Sequence, residues 1–295
     1  MNRTVTTGEP GYQAPALLVV TDLDGTLLDH FTYSFAAARE ALATLQKLGI
    51  PLIPNTSKTS AELGPLRRQL GVNDPFIVEN GSAIFLPRDR FPQPPGGTAF
   101  NKDYYLVELG LDYGEILNRL APLRKRYDFS GFHDLSDVEL EQLTGLDRDQ
   151  VALSRRRRFS EPIIWQDKDS ARAEFLADLD AVGLGTLQGG RFLHVLGKTD
   201  KGTALDRLRH LYQQTFSRQF TVIALGDSDN DIAMLEAADW PVVIRSPSHE
   251  PPRLHSDKPV TVSELNGPEG WNRCVLALVE KYTGSLNHKG RTEHG

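Results

Sequence analysis

Hydrophobic positions along this chain fall into short solid runs separated by longer periodic stretches. Leu17–Val20 is an unbroken apolar run, too short for a helix, and predicts a strand buried on both faces. A helix follows, capped by Ser34 and closed by Gly49, with Phe35, Ala38, Leu42, Leu45 and Leu48 as its buried stripe. Ile50–Pro54 predicts a second strand, and the polar stretch Asn55–Thr59 leads into a helix that ends at Leu70 before Gly71. Phe76–Val78 and Ala83–Leu86 predict two more strands around a Glu-Asn-Gly turn. Strand alternating with helix predicts parallel strands joined by right-handed crossovers.

The pattern then breaks. Pro87–Thr98 holds four prolines and two glycines and predicts an exposed connection. Beyond it, helices are expected at Tyr113–Tyr127, Val138–Thr144 and Ala171–Val182, with strands at Glu161–Trp165 and Gly190–Val195. The first pattern returns with a helix at Lys201–Thr215 and a strand at Thr221–Leu225. A short helix from about Asn230, a strand in the PVVIRS segment and a last helix at Trp271–Tyr282 complete it, and the polar residues from about Ser285 predict a frayed end. The fold class expected is α/β, a Rossmann-like parallel sheet core with a smaller inserted α/β unit. The core takes residues 1–90 and 191–295, the insertion 91–190.

Composition narrows the function. The 295 residues are 39% hydrophobic and 24% charged, values of a globular chain with a full core. A net charge of −6 is the wrong sign for a general nucleic-acid binder. The single cysteine, Cys274, excludes an internal disulfide framework and sits in an apolar helical pattern, as a packing thiol does. No apolar run reaches the ~20 residues of a membrane span, and the polar first sixteen residues carry no signal-peptide pattern. A cytoplasmic monomer or weak dimer acting on a small molecule is expected.

The candidate chemistry begins where the first strand ends. Asp22 and Asp24 follow Thr21 at a spacing of two, so strand alternation points both carboxylates the same way. The acidic segment Gly226–Asp231, holding Asp227, Asp229, Asn230 and Asp231, also follows a buried strand and reaches the same sheet edge. Carboxylates gathered there repel one another unless a cation neutralises them, and a small set of hard oxygens suits Mg²⁺. Thr56 and Lys201 follow further strand or turn signals. A hydroxyl, an ammonium and a metal are what a transferring phosphoryl group needs around its oxygens. A receiver-type signalling domain combines similar residues, but it phosphorylates an aspartate on a middle strand and has no place for a long insertion.

The segments DLDGT, NTSKT, DKG and GDSDND resemble the four motifs of the haloacid dehalogenase superfamily of phosphatases, with the insertion as an α/β cap. By that resemblance Asp22 is the nucleophile and Asp24 the general acid and then the general base. Thr56 and Lys201 hold the phosphoryl oxygens. Mg²⁺ is held by Asp22, the carbonyl of Asp24 and Asp227, with Asn230 and Asp231 completing the metal site by orienting waters or Lys201. Asp229 is expected to face solvent. NTSKTSAEL, IVENGS, RRFSEPIIW, QGGRFLHV and NGPEGW are similar to segments of superfamily members that dephosphorylate a phosphorylated sugar acid; another sugar phosphate, or a mutase reaction, is the alternative. Substrate contacts are expected from Ser57, Lys58, Glu79, Asn80, Gly81, Arg158, Ser160, Gln188, Gly189, Gly190 and Arg191. His194 and Trp165 are expected to pack in a core.

Overall fold

The computed structural model describes residues 16–189 and 192–292. Its elements run β1 (Ala16–Thr21), α1 (Arg39–Leu48), β2 (Leu52–Pro54), α2 (Ser60–Leu70), β3 (Phe76–Val78), β4 (Ala83–Pro87), β5 (Ala99–Asn101), β6 (Tyr104–Glu108) and α3 (Tyr113–Leu120). Next come β7 (Phe129–Gly131), α4 (Asp137–Thr144), α5 (Arg148–Ser154), β8 (Ser160–Trp165), α6 (Asp169–Ala181), β9 (Gly185–Gln188) and β10 (Leu193–Leu196). The chain closes with α7 (Lys201–Phe216), β11 (Phe220–Gly226), α8 (Ile232–Ala237), β12 (Trp240–Arg245), β13 (Thr261–Asn266) and α9 (Gly267–Thr292).

Five strands form a parallel sheet in the order β13-β12-β11-β1-β2. β1 lies between β11 and β2 and is buried on both sides. Leu17 and Val19 enter a core with α1, α2 and α9, and Leu18 and Val20 enter one with α7 and α8. That two-sided burial is why the strand reads as a solid apolar run. The carboxyl ends of β1, β2 and β11 all reach one edge, delivering Asp22, Asn55–Thr56 and Asp227 there.

Two antiparallel four-stranded sheets complete the fold, ordered β3-β4-β6-β5 and β7-β8-β10-β9. The second packs Ile163, Leu193 and Val195 against Ile116 and Leu120 of α3 and Phe175 and Leu179 of α6. Phe76–Val78, expected to extend the parallel sheet, instead pairs antiparallel with β4 and touches the parallel sheet through a single Asn55–Ile77 bridge. The tight Glu-Asn-Gly turn makes β3 and β4 antiparallel neighbours, while the bridge to Asn55 on the other edge of β3 is parallel.

Pairing also crosses both expected boundaries of the insertion. β5 and β6 extend the sheet begun by β4, and β10 lies between β8 and β9. The helix expected over Tyr113–Tyr127 stops at Leu120: Ala121 still holds helical backbone and donates to the Leu117 carbonyl, but Pro122 has no N–H to carry the ladder on. A short 3₁₀ turn follows at Leu123–Lys125. Leu48, expected in the stripe of α1, is exposed, and α1 itself starts at Arg39 after a 3₁₀ turn over Ala36–Ala38. α9 stays helical to Thr292, past the expected fraying point at Ser285. The Cys274 thiol on this helix is half-buried against the core, and burial pushes its pKa up. Among the described residues, no helix is long and apolar enough to cross a membrane.

Candidate active site

Lys201 organises the site. It is the first residue of α7, which Asp200 caps by accepting the N–H of Thr203 at 2.7 Å. Its side chain is fully buried, and its Nζ donates to Asp22 Oδ1 and Asp231 Oδ1, each at 2.6 Å. Burial opposes the ammonium charge, but the two carboxylates outweigh it and hold the pKa above its ordinary value. Burial also pushes the Asp22 carboxyl well above its usual range. Lys201 pulls it back, and Asp231, Asp227 and Asp24 add to the rise.

The segment after β1 is locked onto Asp227. Thr26 Oγ1 donates to Asp227 Oδ1 at 2.7 Å. Gly25 holds φ +83°, and a Cβ there would meet Asp227 Oδ2 at 2.7 Å, so both the turn and the close approach require glycine. Trp271 of α9 braces the strand end from below, donating from Nε1 to Thr21 Oγ1 at 3.0 Å, while Thr21 donates to the Asp22 carbonyl at 2.7 Å.

Asp22, Asp227 and Asp231 bring carboxylate oxygens within 4.8 Å of one another, close enough to hold a metal ion. Asp231 is already occupied: its Oδ2 accepts the N–H groups of Asp227 and Ser228 at 3.0 and 3.2 Å, and its Oδ1 accepts Lys201. Asp229 faces solvent as expected. Asn230 donates to Asn80 Oδ1 at 3.1 Å and accepts from Ser228 Oγ at 2.7 Å, so both ends of its amide are engaged with protein. His249, in the loop after β12, places Nε2 3.2 Å from Asp227 Oδ2, and that hydrogen bond pushes its pKa up to about 8. No periodicity or motif marks His249 in the sequence; only the long-range fold delivers it.

Asp24 stands beside this cluster, more open than Asp22, and forms an ion pair with Lys58 at 2.8 Å. Its Oδ1 is buried without a hydrogen-bond partner among the described residues. Burial works against the Lys58 charge, but Asp24 and then Glu62 more than offset it, and the ammonium lies 5.3 Å from the centre of the Tyr33 ring. Thr56 is buried at the end of β2, where its N–H donates to the Ile77 carbonyl at 3.1 Å.

The Glu79–Gly81 turn holds three successive residues at positive φ, +49°, +57° and +91°. A Cβ at Gly81 would meet the Asp200 carbonyl oxygen at 2.0 Å, which ties the turn to the residue before Lys201. Glu79, expected to face substrate, is fully committed elsewhere. It accepts the N–H groups of Arg158 and Phe159 at 3.0 Å each and the Ser160 hydroxyl at 2.7 Å. Arg157 lies beside it, 3.9 Å from its carboxylate, and donates to the Ser57 carbonyl at 2.8 Å and to Ser160. Buried Arg157, rather than Arg158, is therefore the basic-run residue that joins the two parts of the chain. Arg158 is partly exposed and pairs with Glu108 at 2.8 Å. Replacing Glu79 by alanine strands two N–H groups, a hydroxyl and a guanidinium, and roughly 3–5 kcal/mol of stability should be lost. A urea midpoint that does not move would refute this reading.

Gln188 lies exposed at the end of β9, bound to Arg172 and to the Gly189 carbonyl. Gly190 and Arg191 lie outside the described residues. Trp165 packs against Phe175 at 4.9 Å, as a core residue does.

The sequence profile of the haloacid dehalogenase-like hydrolases matches residues 19–91 and 173–250, covering the end of β1, both acidic segments, Thr56 and Lys201. This chain belongs to the haloacid dehalogenase-like hydrolases. Within them it is 39% identical over 268 residues to the glucosyl-3-phosphoglycerate/mannosyl-3-phosphoglycerate phosphatase of Methanococcoides burtonii, spanning 90% of this chain and 97% of that one. A protein of the same name from Persephonella marina is 35% identical over 275 residues, 90% of this chain and 98% of its own. The fold is shared with a solved structure, that of Thermoplasma acidophilum 0175, at TM-score 0.62 and 17% identity over 88% of this chain and 97% of that one.

Proposed function

We propose that this haloacid dehalogenase-like hydrolase is a Mg²⁺-dependent phosphatase that converts mannosyl-3-phosphoglycerate to mannosylglycerate and phosphate, with glucosyl-3-phosphoglycerate as a further substrate. The observation that carries the reaction is the buried Lys201 bridge between Asp22 and Asp231, with Asp227 and Asp24 alongside. The names of the two relatives support the substrate, since both carry both sugars.

In this reading a carboxylate oxygen of Asp22 attacks phosphorus. The bond from phosphorus to the leaving alcohol breaks as the aspartyl-phosphate forms. Asp24 gives its proton to the departing alcohol oxygen, then removes a proton from the water that attacks the aspartyl-phosphate, and phosphate leaves with Asp22 restored. Lys201 spends two of its three N–H bonds on Asp22 and Asp231, leaving one for a phosphoryl oxygen. The Thr56 hydroxyl would donate to another.

The oxygen-only donor set fits Mg²⁺: Asp22, the Asp24 carbonyl and Asp227 would hold it, while Asp231 and Asn230 fix Lys201 and the loop. Bound there, the ion supplies positive charge to the phosphoryl oxygens. The antiparallel unit from about residue 112 to Leu196 acts as the cap, with Arg157 and Glu79 as its joint to the core.

The test is a phosphate-release screen over mannosyl- and glucosyl-3-phosphoglycerate, sucrose 6-phosphate and hexose phosphates, with Mg²⁺ or with a chelator. The glycosyl-phosphoglycerates should be preferred and the chelator should abolish release. Mg²⁺ at ~100 times its Kd should also raise the melting temperature by roughly 5 °C, because it binds only the folded acidic cluster. Full turnover in chelator, or preference for a hexose phosphate, would sink the reading.

A further inference from the structure

The antiparallel cap sheet has one face covered by helices and one face turned to the catalytic core. Strand alternation assigns the residues of β10. Leu193 and Val195 enter the helix-covered core with Ile163, so His194 stands on the opposite face, level with Pro162 of β8 and Leu187 of β9. Ser160 lies on that same face and bonds Glu79 of the core, which fixes the direction in which the face looks. β9 lies directly against the Asp229–Asp231 turn of the acidic segment. His194 thus hangs from the cap above the site.

Its surroundings leave one ring nitrogen unused. His194 is 7% exposed. Its Nε2–Cδ2 edge abuts Gly189, where a Cβ would come within 2.9 Å of Nε2. Nδ1, on the other edge, has no hydrogen-bond partner among the described residues. Burial first, then the charges of Arg157 and Lys201, push the pKa down to about 3, so the imidazole is neutral. A neutral ring nitrogen flanked by Leu187 and Pro162 offers one hydrogen bond set in apolar surface. That is the chemistry of a sugar ring, with a C–H face and a hydroxyl, and not that of a phosphate, which calls for cations.

We propose that His194 is a specificity-determining residue whose Nδ1 hydrogen-bonds a hydroxyl of the sugar carried by the leaving alcohol. The inference rests on the phosphatase reading and adds to it the group that recognises the part of the substrate farthest from the phosphorus. Left without that hydroxyl, Nδ1 is a buried polar atom with no partner, so a substrate lacking the sugar gains nothing from it.

Three proteins decide it: wild type, His194→Leu, which removes the nitrogens and keeps the bulk, and His194→Asn, which returns a polar atom near the Nδ1 position. KM and kcat are measured for mannosyl- and glucosyl-3-phosphoglycerate, for 3-phosphoglycerate without the sugar, and for p-nitrophenyl phosphate. His194→Leu should raise KM for the glycosylated esters about 10- to 100-fold and change the two sugar-free esters by no more than about three-fold. His194→Asn should recover most of the difference. Equal losses on all four esters, or an unchanged KM for the glycosylated ones, overturn the role of His194. So does a wild type with no preference for a sugar-bearing ester. Wild-type turnover of none of the four strikes the phosphatase reading itself, a result distinct from any failure confined to the variants.

Discussion

Asp22→Asn should cut phosphate release by about 10⁴-fold or more while the protein keeps its fold. The carboxamide matches the carboxylate in size, and its oxygen can still accept from Lys201, so the bridge to Asp231 survives. What disappears is the proposed nucleophile, because an amide oxygen does not form a stable ester with phosphorus under these conditions. The substitution also removes one of several crowded carboxylates, which burial and its neighbours already disfavour in the charged form. The melting temperature without Mg²⁺ should therefore stay level or rise. Phosphate release within ten-fold of wild type would remove Asp22 from the role of nucleophile; a collapsed fold would show that its charge holds the site together.

Lys201→Met should be the most damaging single change to stability in the site, costing roughly 3–5 kcal/mol and abolishing turnover. The methionine fills the same volume but leaves Asp22 and Asp231 facing each other, both buried, with no cation between them. The sign with pH follows from burial, which raises both carboxyl groups in the folded chain. A raised folded pKa means the folded state binds protons more readily than the unfolded one. Stability is then gained as pH falls toward the unfolded value and lost as pH rises through the folded one. The deficit of the variant relative to wild type should shrink as pH is lowered from 8 to about 5. A deficit constant across that range would mean that lost packing, not stranded charge, sets the cost. Lys201→Arg should not rescue turnover, since a planar guanidinium cannot bridge two carboxylates and a phosphoryl oxygen from the same buried point.

The sheet edge was legible because local signals and chain order agreed there. Solid apolar runs before Asp22 and before Asp227 reveal two-sided strands, and the acids immediately after them could only be delivered to the carboxyl end. Gly49 and Gly71 close their helices at φ +63° and +67°, as expected of residues placed after a periodic stretch. Of the strands the pattern leaves unpredicted, Tyr104–Glu108 and Phe129–Gly131 are largely buried but short, and three others are poorly buried. Ala99–Asn101 and Gly185–Gln188 are barely apolar, and Thr261–Asn266 lies mostly exposed at the sheet edge, so each owes its conformation to a paired neighbour.

The same distinction separates the site residues. Asp22, Lys201 and Asp227 lie together at the sheet edge, with Asp24 beside them and Thr56 buried just past the end of β2. Glu79 is different, because its polar neighbours are about eighty positions away, and no local pattern discloses that its carboxylate is consumed by Arg158, Phe159 and Ser160. Arg157 could not be told from three adjacent arginines by composition. Burial singles it out, and burial is a property of the fold.

The turn at Glu79–Gly81 sets a rule for grafting. Its first residue grips the segment at Arg158–Ser160, its second meets Asn230, and its third sits against Asp200. A chimera that exchanges the antiparallel unit between relatives would therefore need the 157–160 segment and Glu79 to come from the same parent, whereas Asn80 and Gly81 must match the parent that supplies the acidic segment. Because Asn80 and Gly81 lie between Glu79 and the 157–160 segment in the chain, no single crossover meets both demands, and residue 79 has to be matched to the antiparallel unit as a point substitution.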